Sequence, residues 1–249
     1  MRTLDDFRTV LVPIRDQLIQ SSSLECQPEL QEILAQNTRL IVALNHSTPL
    51  SWVPAMCLLA TAAIECGHGD RVPMVIADRF FFSMPGLRAL AKYISQSERP
   101  LNFDELVETF ARREHCDLIV FPEGSNCFFG DPKQIQAFRS PKFIEIAVRV
   151  GCPILLSVHR GSEDWAKAVS IPAELVGALK FLPKSVRRRL LQTGLLTLPL
   201  LPKPIAKFRM QCELFMPSIN DSSVAAEADR LHARMEEMFE HLNSGPKAD

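Results

Sequence analysis

The stretch Leu40-Ile41-Val42-Ala43-Leu44-Asn45-His46-Ser47-Thr48-Pro49-Leu50-Ser51 decides how the chain reads. Its apolar run predicts a buried strand over residues 38–44. A helix start follows directly. Thr48 suits an N-cap and Pro49 the first helical position, where a missing N–H costs nothing. His46 therefore stands at a strand–helix junction. Further on, the run Leu118-Ile119-Val120-Phe121 ends in Pro122-Glu123-Gly124-Ser125. Ligands of α/β proteins bind at the carboxyl ends of parallel strands. A base at one strand end and a carboxylate turn at another outline a site.

Outward from these two stretches, helical and strand patterns alternate. Apolar residues at 7, 10, 11, 14 and 18 predict a first helix, ended by Ser21-Ser22-Ser23, and residues 28–35 a short second one. Helices are expected over 49–66, 84–94 (after a Phe80-Phe81-Phe82 turn), 103–115, 140–150 and 225–242. Strands are expected over 38–44, 71–77, 118–121, 153–158 and 208–217. The alternation implies a mixed, mostly parallel central sheet flanked by helices. The division is a helical N-terminal arm over 1–37 and one α/β domain over 38–243, with a frayed tail from Ser244.

Composition narrows the function classes. The 249 residues are 47% hydrophobic and 23% charged with net charge −1, an ordinary globular balance that offers nucleic acid no overall attraction. Seven cysteines, none spaced as CxxC, read as free thiols in a reducing compartment rather than bridges or a zinc site. Without a secretory leader or a long apolar span, the reading is a cytoplasmic protein, soluble or peripheral on the inner face of a membrane. Residues 179–209 stand apart, with eight Lys or Arg, no acid and interleaved leucines. They fit either an anionic membrane surface or a helical hairpin with a solvated basic face.

A histidine at a strand end can act as a general base, and works better when its far ring nitrogen is oriented by an acceptor. Ser51, one turn above, is either that acceptor, without charge, or a residue capping the helix. Glu123 can bind a cation or a substrate hydroxyl, or cap its own turn. Gly124 lets the backbone approach a ligand closely. His68, His115 and His159 lack companions and read as structural, and Asp78-Arg79 as a loop ion pair.

Taken in order, these blocks resemble the lysophospholipid/glycerolipid acyltransferase superfamily, which includes 1-acylglycerol-3-phosphate acyltransferases. That family carries NHxxxxD after a strand, a later block running from an aromatic to an arginine, then FPEGT followed by arginine, then a Gly-x-Pro-aliphatic strand. The counterparts are Asn45-His46 with Ser51, Tyr93 to Arg99, Phe121-Pro122-Glu123-Gly124-Ser125, and Gly151-Cys152-Pro153-Ile154-Leu155. The chain departs from the pattern at Ser51, in place of the aspartate, and at Asn126, in place of the arginine. The resemblance implies acyl transfer from acyl-CoA or acyl carrier protein to a glycerol-phosphate or lysophospholipid hydroxyl, with no cofactor and no metal. His46 would be the base and Ser51 its weak support. Arg99, Glu123, Gly124 and Ser125 would hold the acceptor. Two other readings follow from the departures: a hydrolase using Ser51 with His46, or a lipid- or acyl-carrier-binding module with little turnover.

Overall fold

The computed structural model describes residues 1–46, 48–178, 184–217 and 223–244. Ser47, residues 179–183 of the basic segment (with Phe181) and the tail from residue 245 lie outside them.

In chain order the elements are α1 (Leu4–Leu18), β1 (Ser22–Gln27), α2 (Leu30–Gln36), β2 (Arg39–Leu44), α3 (Trp52–Glu65), β3 (Val72–Val75), α4 (Arg79–Ser83), α5 (Leu87–Ser95), α6 (Phe103–Ala111), β4 (Cys116–Val120), α7 (Lys142–Val150), β5 (Ile154–Arg160), β6 (Ala166–Ser170), α8 (Ala173–Ala178), α9 (Lys184–Thr193), β7 (Leu195–Pro199), β8 (Phe208–Phe215) and α10 (Val224–Ser244). Six strands form one sheet in the order β1-β8-β5-β2-β4-β3. β2, β3, β4 and β5 run parallel, while β8 is antiparallel to β5. β1 pairs in parallel with β8. The chain is thus a mixed, mostly parallel α/β fold with a helix at its N-terminus.

The central strand shows why the sheet needs helices on both faces. Side chains alternate along β2. Ile41 and Ala43 pack into a core with α7 and α10, while Leu40, Val42 and Leu44 pack into a second core with α1, α2 and α3. At the lower end of the sheet the fully buried Arg71 guanidinium grips Asp117 with two bonds, Nε to Oδ2 at 2.8 Å and Nη2 to Oδ1 at 2.5 Å. Its Nη1 caps the carbonyls of Leu34 and Asn37. Among the described residues no helix is long and apolar enough to cross a membrane.

Several elements differ from the sequence reading. β1 falls where the pattern suggested only a helix end, and gives the first 37 residues a place in the main sheet. Phe80–Phe82 belong to the short α4 rather than a turn. α6 stops at Ala111, four residues before the expected end at His115. α3 starts at Trp52 with Ser51 as N-cap, because residues 48–51 close a turn of their own, with Ser51 N–H bonded to the Thr48 carbonyl at 3.1 Å. The hairpin reading of 179–209 is replaced by α9 followed by β7, which pairs with β6 in a separate two-stranded ribbon.

Candidate active site

Strand register builds the site. Ala43 of β2 lies beside Val120 of β4. Three residues past each come His46 and Glu123, so the two motifs meet although they are far apart along the chain. The contact is direct: the His46 backbone N–H donates to Glu123 Oε1 at 2.6 Å. The other carboxylate oxygen, Oε2, accepts the Gln136 N–H at 2.5 Å. Glu123 therefore ties together the β2–α3 turn, its own turn and the loop before α7. It is completely buried. Burial pushes its carboxyl up to about 7, against the opposite pull of the two N–H donors.

Asn45 braces the histidine from below. Its side chain donates to the His159 carbonyl at 3.3 Å and accepts the His159 N–H at 2.8 Å. His159 Nε2–H returns a bond to the Asn45 carbonyl at 3.1 Å. Burial holds the His159 imidazole neutral, lowering it to about 3. The ring stacks on Phe208 at 5.3 Å. The lone histidine read as structural thus fixes the residue next to the base.

The His46 imidazole packs against Phe121, 5.2 Å between centroids, with Nε2 3.3 Å from the Pro49 carbonyl. A carbonyl only accepts, so this contact places the ring proton on Nε2 and leaves the Nδ1 lone pair free. Nδ1 is buried from solvent and has no hydrogen-bond partner. Burial lowers the ring to about 4, while the Pro49 and Gly124 carbonyls pull it the other way. The Trp52 indole N–H shares the Pro49 carbonyl at 3.1 Å.

Ser51 does not reach the imidazole. Its hydroxyl donates to the Thr48 carbonyl at 2.9 Å and accepts the Thr48 N–H at 3.2 Å. Both the base support and the Ser51–His46 nucleophile pair foreseen from the sequence thus lack the contact they need. Arg99 is also placed elsewhere, exposed and held by Glu105 in a two-bond pair at 2.7 and 2.8 Å. It lines a small cavity of about 50 Å³ with Ser95 and Ser97 at the end of β3. Ser125 is exposed, and Asn126 is buried, its amide bonded to the Ala137 carbonyl at 2.8 Å.

The cation at the PEG turn is instead Arg139, which sequence reasoning missed. Its backbone N–H bonds the Pro122 carbonyl at 2.7 Å, and its Nη1 lies 3.1 Å from Asp78 Oδ2. Gly124 adopts φ +50°, and a Cβ there would sit 3.1 Å from Arg139 Cδ. The glycine is what lets this exposed arginine lie across the turn. Nothing in the spacing of Arg139 marks it, because its position depends on how the loop folds back.

A cavity of about 230 Å³ lies beside the site, lined by Leu40, Val42 and Leu44 of β2, Phe7 and Leu11 of α1, and Trp52. From Leu40 to Leu44 it follows the strand for about 13 Å. Trp52, in its wall, is the lining residue nearest the site in bonding terms: its indole shares the Pro49 carbonyl with His46, while His46 and Glu123 do not line the cavity. Among the described residues no three His, Cys, Asp or Glu side chains converge to hold a metal ion.

No protein-family model matches the chain, and no curated protein matches it in sequence. In fold it is similar to the crystal structure of the 1-acyl-sn-glycerophosphate (LPA) acyltransferase PlsC from Thermotoga maritima. The TM-score is 0.55 at 17% identity, over 98% of this chain and 84% of that one.

Proposed function

We propose that this chain is a glycerolipid-type O-acyltransferase, moving a fatty acyl group from acyl-CoA or acyl carrier protein to a glycerol-phosphate or lysophospholipid hydroxyl at a membrane's cytoplasmic face. The observation that carries the reading is the meeting of the two motifs, where buried Glu123 holds the backbone of a histidine whose Nδ1 has no hydrogen-bond partner, with an apolar cavity along the neighbouring stretch of β2. The fold shared with a PlsC acyltransferase supports it.

The acyl chain would lie along β2, contributing about 0.8 kcal/mol for each CH₂ removed from water. The acceptor hydroxyl oxygen bonds to the thioester carbonyl carbon as its proton passes to His46 Nδ1. Collapse of the tetrahedral adduct breaks the C–S bond, and the leaving thiolate takes the proton from the imidazolium. The Pro49 carbonyl takes the orienting part that the resemblance assigns to a carboxylate: it fixes the tautomer but brings no charge, so the base is weak. Glu123 positions His46 and does not bind substrate directly. Arg139, rather than Arg99, binds the acceptor phosphate beside Gly124 and Ser125.

Thiol release from acyl-CoA tests the reading. Release should require a lysophosphatidate or glycerol 3-phosphate acceptor, and His46→Ala should lower it by about 10²–10⁴-fold. Arg139→Gln should raise KM for the phosphate acceptor, while Arg99→Gln leaves it unchanged. Release without acceptor would point to a hydrolase. Tight lipid binding with no release from several donors would point to a binding module, the reading favoured by the uncharged support of His46.

A further inference from the structure

The ribbon of β6 and β7 is fastened to the candidate site's loop on one face; on the other, Val169 and Leu196 are half-buried and Lys167 and Leu198 exposed. Thr197 of β7 is fully buried; its hydroxyl donates to the Gly130 carbonyl at 2.5 Å and accepts the Gly130 N–H at 3.5 Å. Gly130 ends the short loop that begins at the PEG turn. Beyond β7, Leu200 N–H bonds the Trp165 carbonyl at 2.7 Å, and the Trp165 indole bonds the Lys203 carbonyl at 2.9 Å. The Thr197 side chain thus ties the ribbon to the site loop.

Successive side chains point to opposite faces of a strand, so Leu196 and Leu198 lie on the face away from Thr197. Register sets Lys167 beside Leu198 and Val169 beside Leu196. A strand face that met only water would be polar. Here Leu198 is 44% exposed, and just past the strand Leu200 is 44% and Leu201 86% exposed. Exposed Lys167 lies beside Leu198 and exposed Lys203 follows Leu201 by two residues, while α9, which enters β7 through Gly194, adds exposed Arg188 and Leu191. None of these cations joins an ion pair among the described residues.

We infer that this ribbon face is a docking surface for an anionic lipid bilayer, and that it holds the mouth of the His46–Glu123 site against the membrane. Exposed leucines beside lysines that join no ion pair among the described residues match a layer that offers acyl chains just beneath anionic headgroups. An acidic protein is the other partner such charges suggest, and binding to one is an outcome of the test; the exposed leucines among the cations favour the bilayer, which takes up apolar side chains beneath its charged layer. The inference deepens the acyl-transfer reading and rests on it, by naming the surface from which the site would draw lipid.

Flotation of the full chain with vesicles tests it. The protein should bind mixed phosphatidylcholine–phosphatidylglycerol vesicles, bind pure phosphatidylcholine weakly, and release as salt rises. Leu200→Ser combined with Leu201→Ser should weaken binding at least about tenfold, with the melting temperature unchanged. Lys167→Gln and Lys203→Gln should each weaken it roughly fivefold. Vesicle binding that is absent in the wild type, or equal in wild type and variants, overturns the inference. So does loss of retention on immobilised acyl carrier protein in variants that still float with vesicles. Turnover of glycerol 3-phosphate or a short-chain lysophosphatidate with short-chain acyl-CoA or acyl-acyl carrier protein in vesicle-free buffer reads the acyl-transfer proposal separately: its absence with every pairing would sink that proposal, whatever the vesicles show.

Discussion

A buried carboxylate lies near each end of β4, and the two are satisfied in opposite ways. Asp117, second in the strand, is gripped by a fully buried guanidinium. Glu123, three residues past the strand, meets two backbone N–H groups and has no salt-bridge partner among the described residues. The lower end is closed by matched charge. The upper end holds a carboxylate that burial drives up to about 7 and that ties the turn carrying His46 to the loop before α7 without any matching charge. The difference separates a stabilising end of the sheet from a chemical one, and the same division follows from strand polarity in parallel sheets.

Breaking the lower pair should have the larger effect on stability. Arg71→Ala would leave Asp117 charged and buried, costing about 3–5 kcal/mol and lowering the melting temperature on the order of 10 °C. Replacing both partners with apolar residues should cost less than either single change. Thermal unfolding of the three variants checks this; equal losses would mean that the charges are solvated and the comparison with Glu123 is empty.

At the upper end, Glu123→Gln turns an amide NH₂ toward a backbone donor and strands one buried N–H, for about 1–3 kcal/mol. It should also cut activity, because His46 loses its anchor. The pH dependence sharpens the contrast. The native carboxyl titrates near 7 against an ordinary 4.5, so its contribution to stability is present below about 4.5 and lost as pH rises through 7. The penalty of the substitution, measured by denaturant unfolding, should therefore shrink across that window. A penalty that grows with pH would show that the two N–H donors outweigh burial.

Much of this arrangement could be read before the fold was known, for a physical reason. Continuous apolar runs mark strands covered on both faces, and β2, β4 and β5 are of that kind. Once two such strands pair in parallel, residues equally far past the paired positions must meet, and His46 and Glu123 do. Edge strands give no such signal. β1 is half polar and exposed along much of its length, and β7 hides among lysines and leucines that read equally well as helix. Motif order also says nothing about reach. Arg99 stands in the expected block but its guanidinium is taken by Glu105, while Arg139, in no motif, is carried to Gly124 by a returning loop.

The two titrating groups of the upper end should move in opposite directions. His46 is lowered to about 4 from 6.5, so its contribution to stability is present above about 6.5 and lost as pH falls toward 4. For catalysis the base stays unprotonated down to that pH. The acid limb of kcat/KM should fall near 4, well below the value of an ordinary imidazole, and NMR titration of the ring should agree. An acid limb at about 6.5 would mean that the ring is exposed when substrate binds and that burial does not set its basicity.

The smallest effect is expected at Ser51, and it discriminates most sharply. The hydroxyl closes a buried turn on Thr48, so Ser51→Ala strands the Thr48 N–H, while the Thr48 carbonyl keeps the Ser51 N–H, at about 1–2 kcal/mol. Because the side chain does not touch the imidazole, the acid limb of kcat/KM should stay where it is, and kcat should follow only the modest loosening of the turn. A fall matching that of His46→Ala would instead place Ser51 in the chemistry, as the nucleophile or as the support for the base. The Pro49 carbonyl would then be a resting partner that the imidazole leaves when substrate arrives. A loss of stability with an unmoved pH profile would make Ser51 a counterpart of Asp117: a buried polar group satisfied by its own surroundings, here within a few residues of the base rather than at the far end of the sheet.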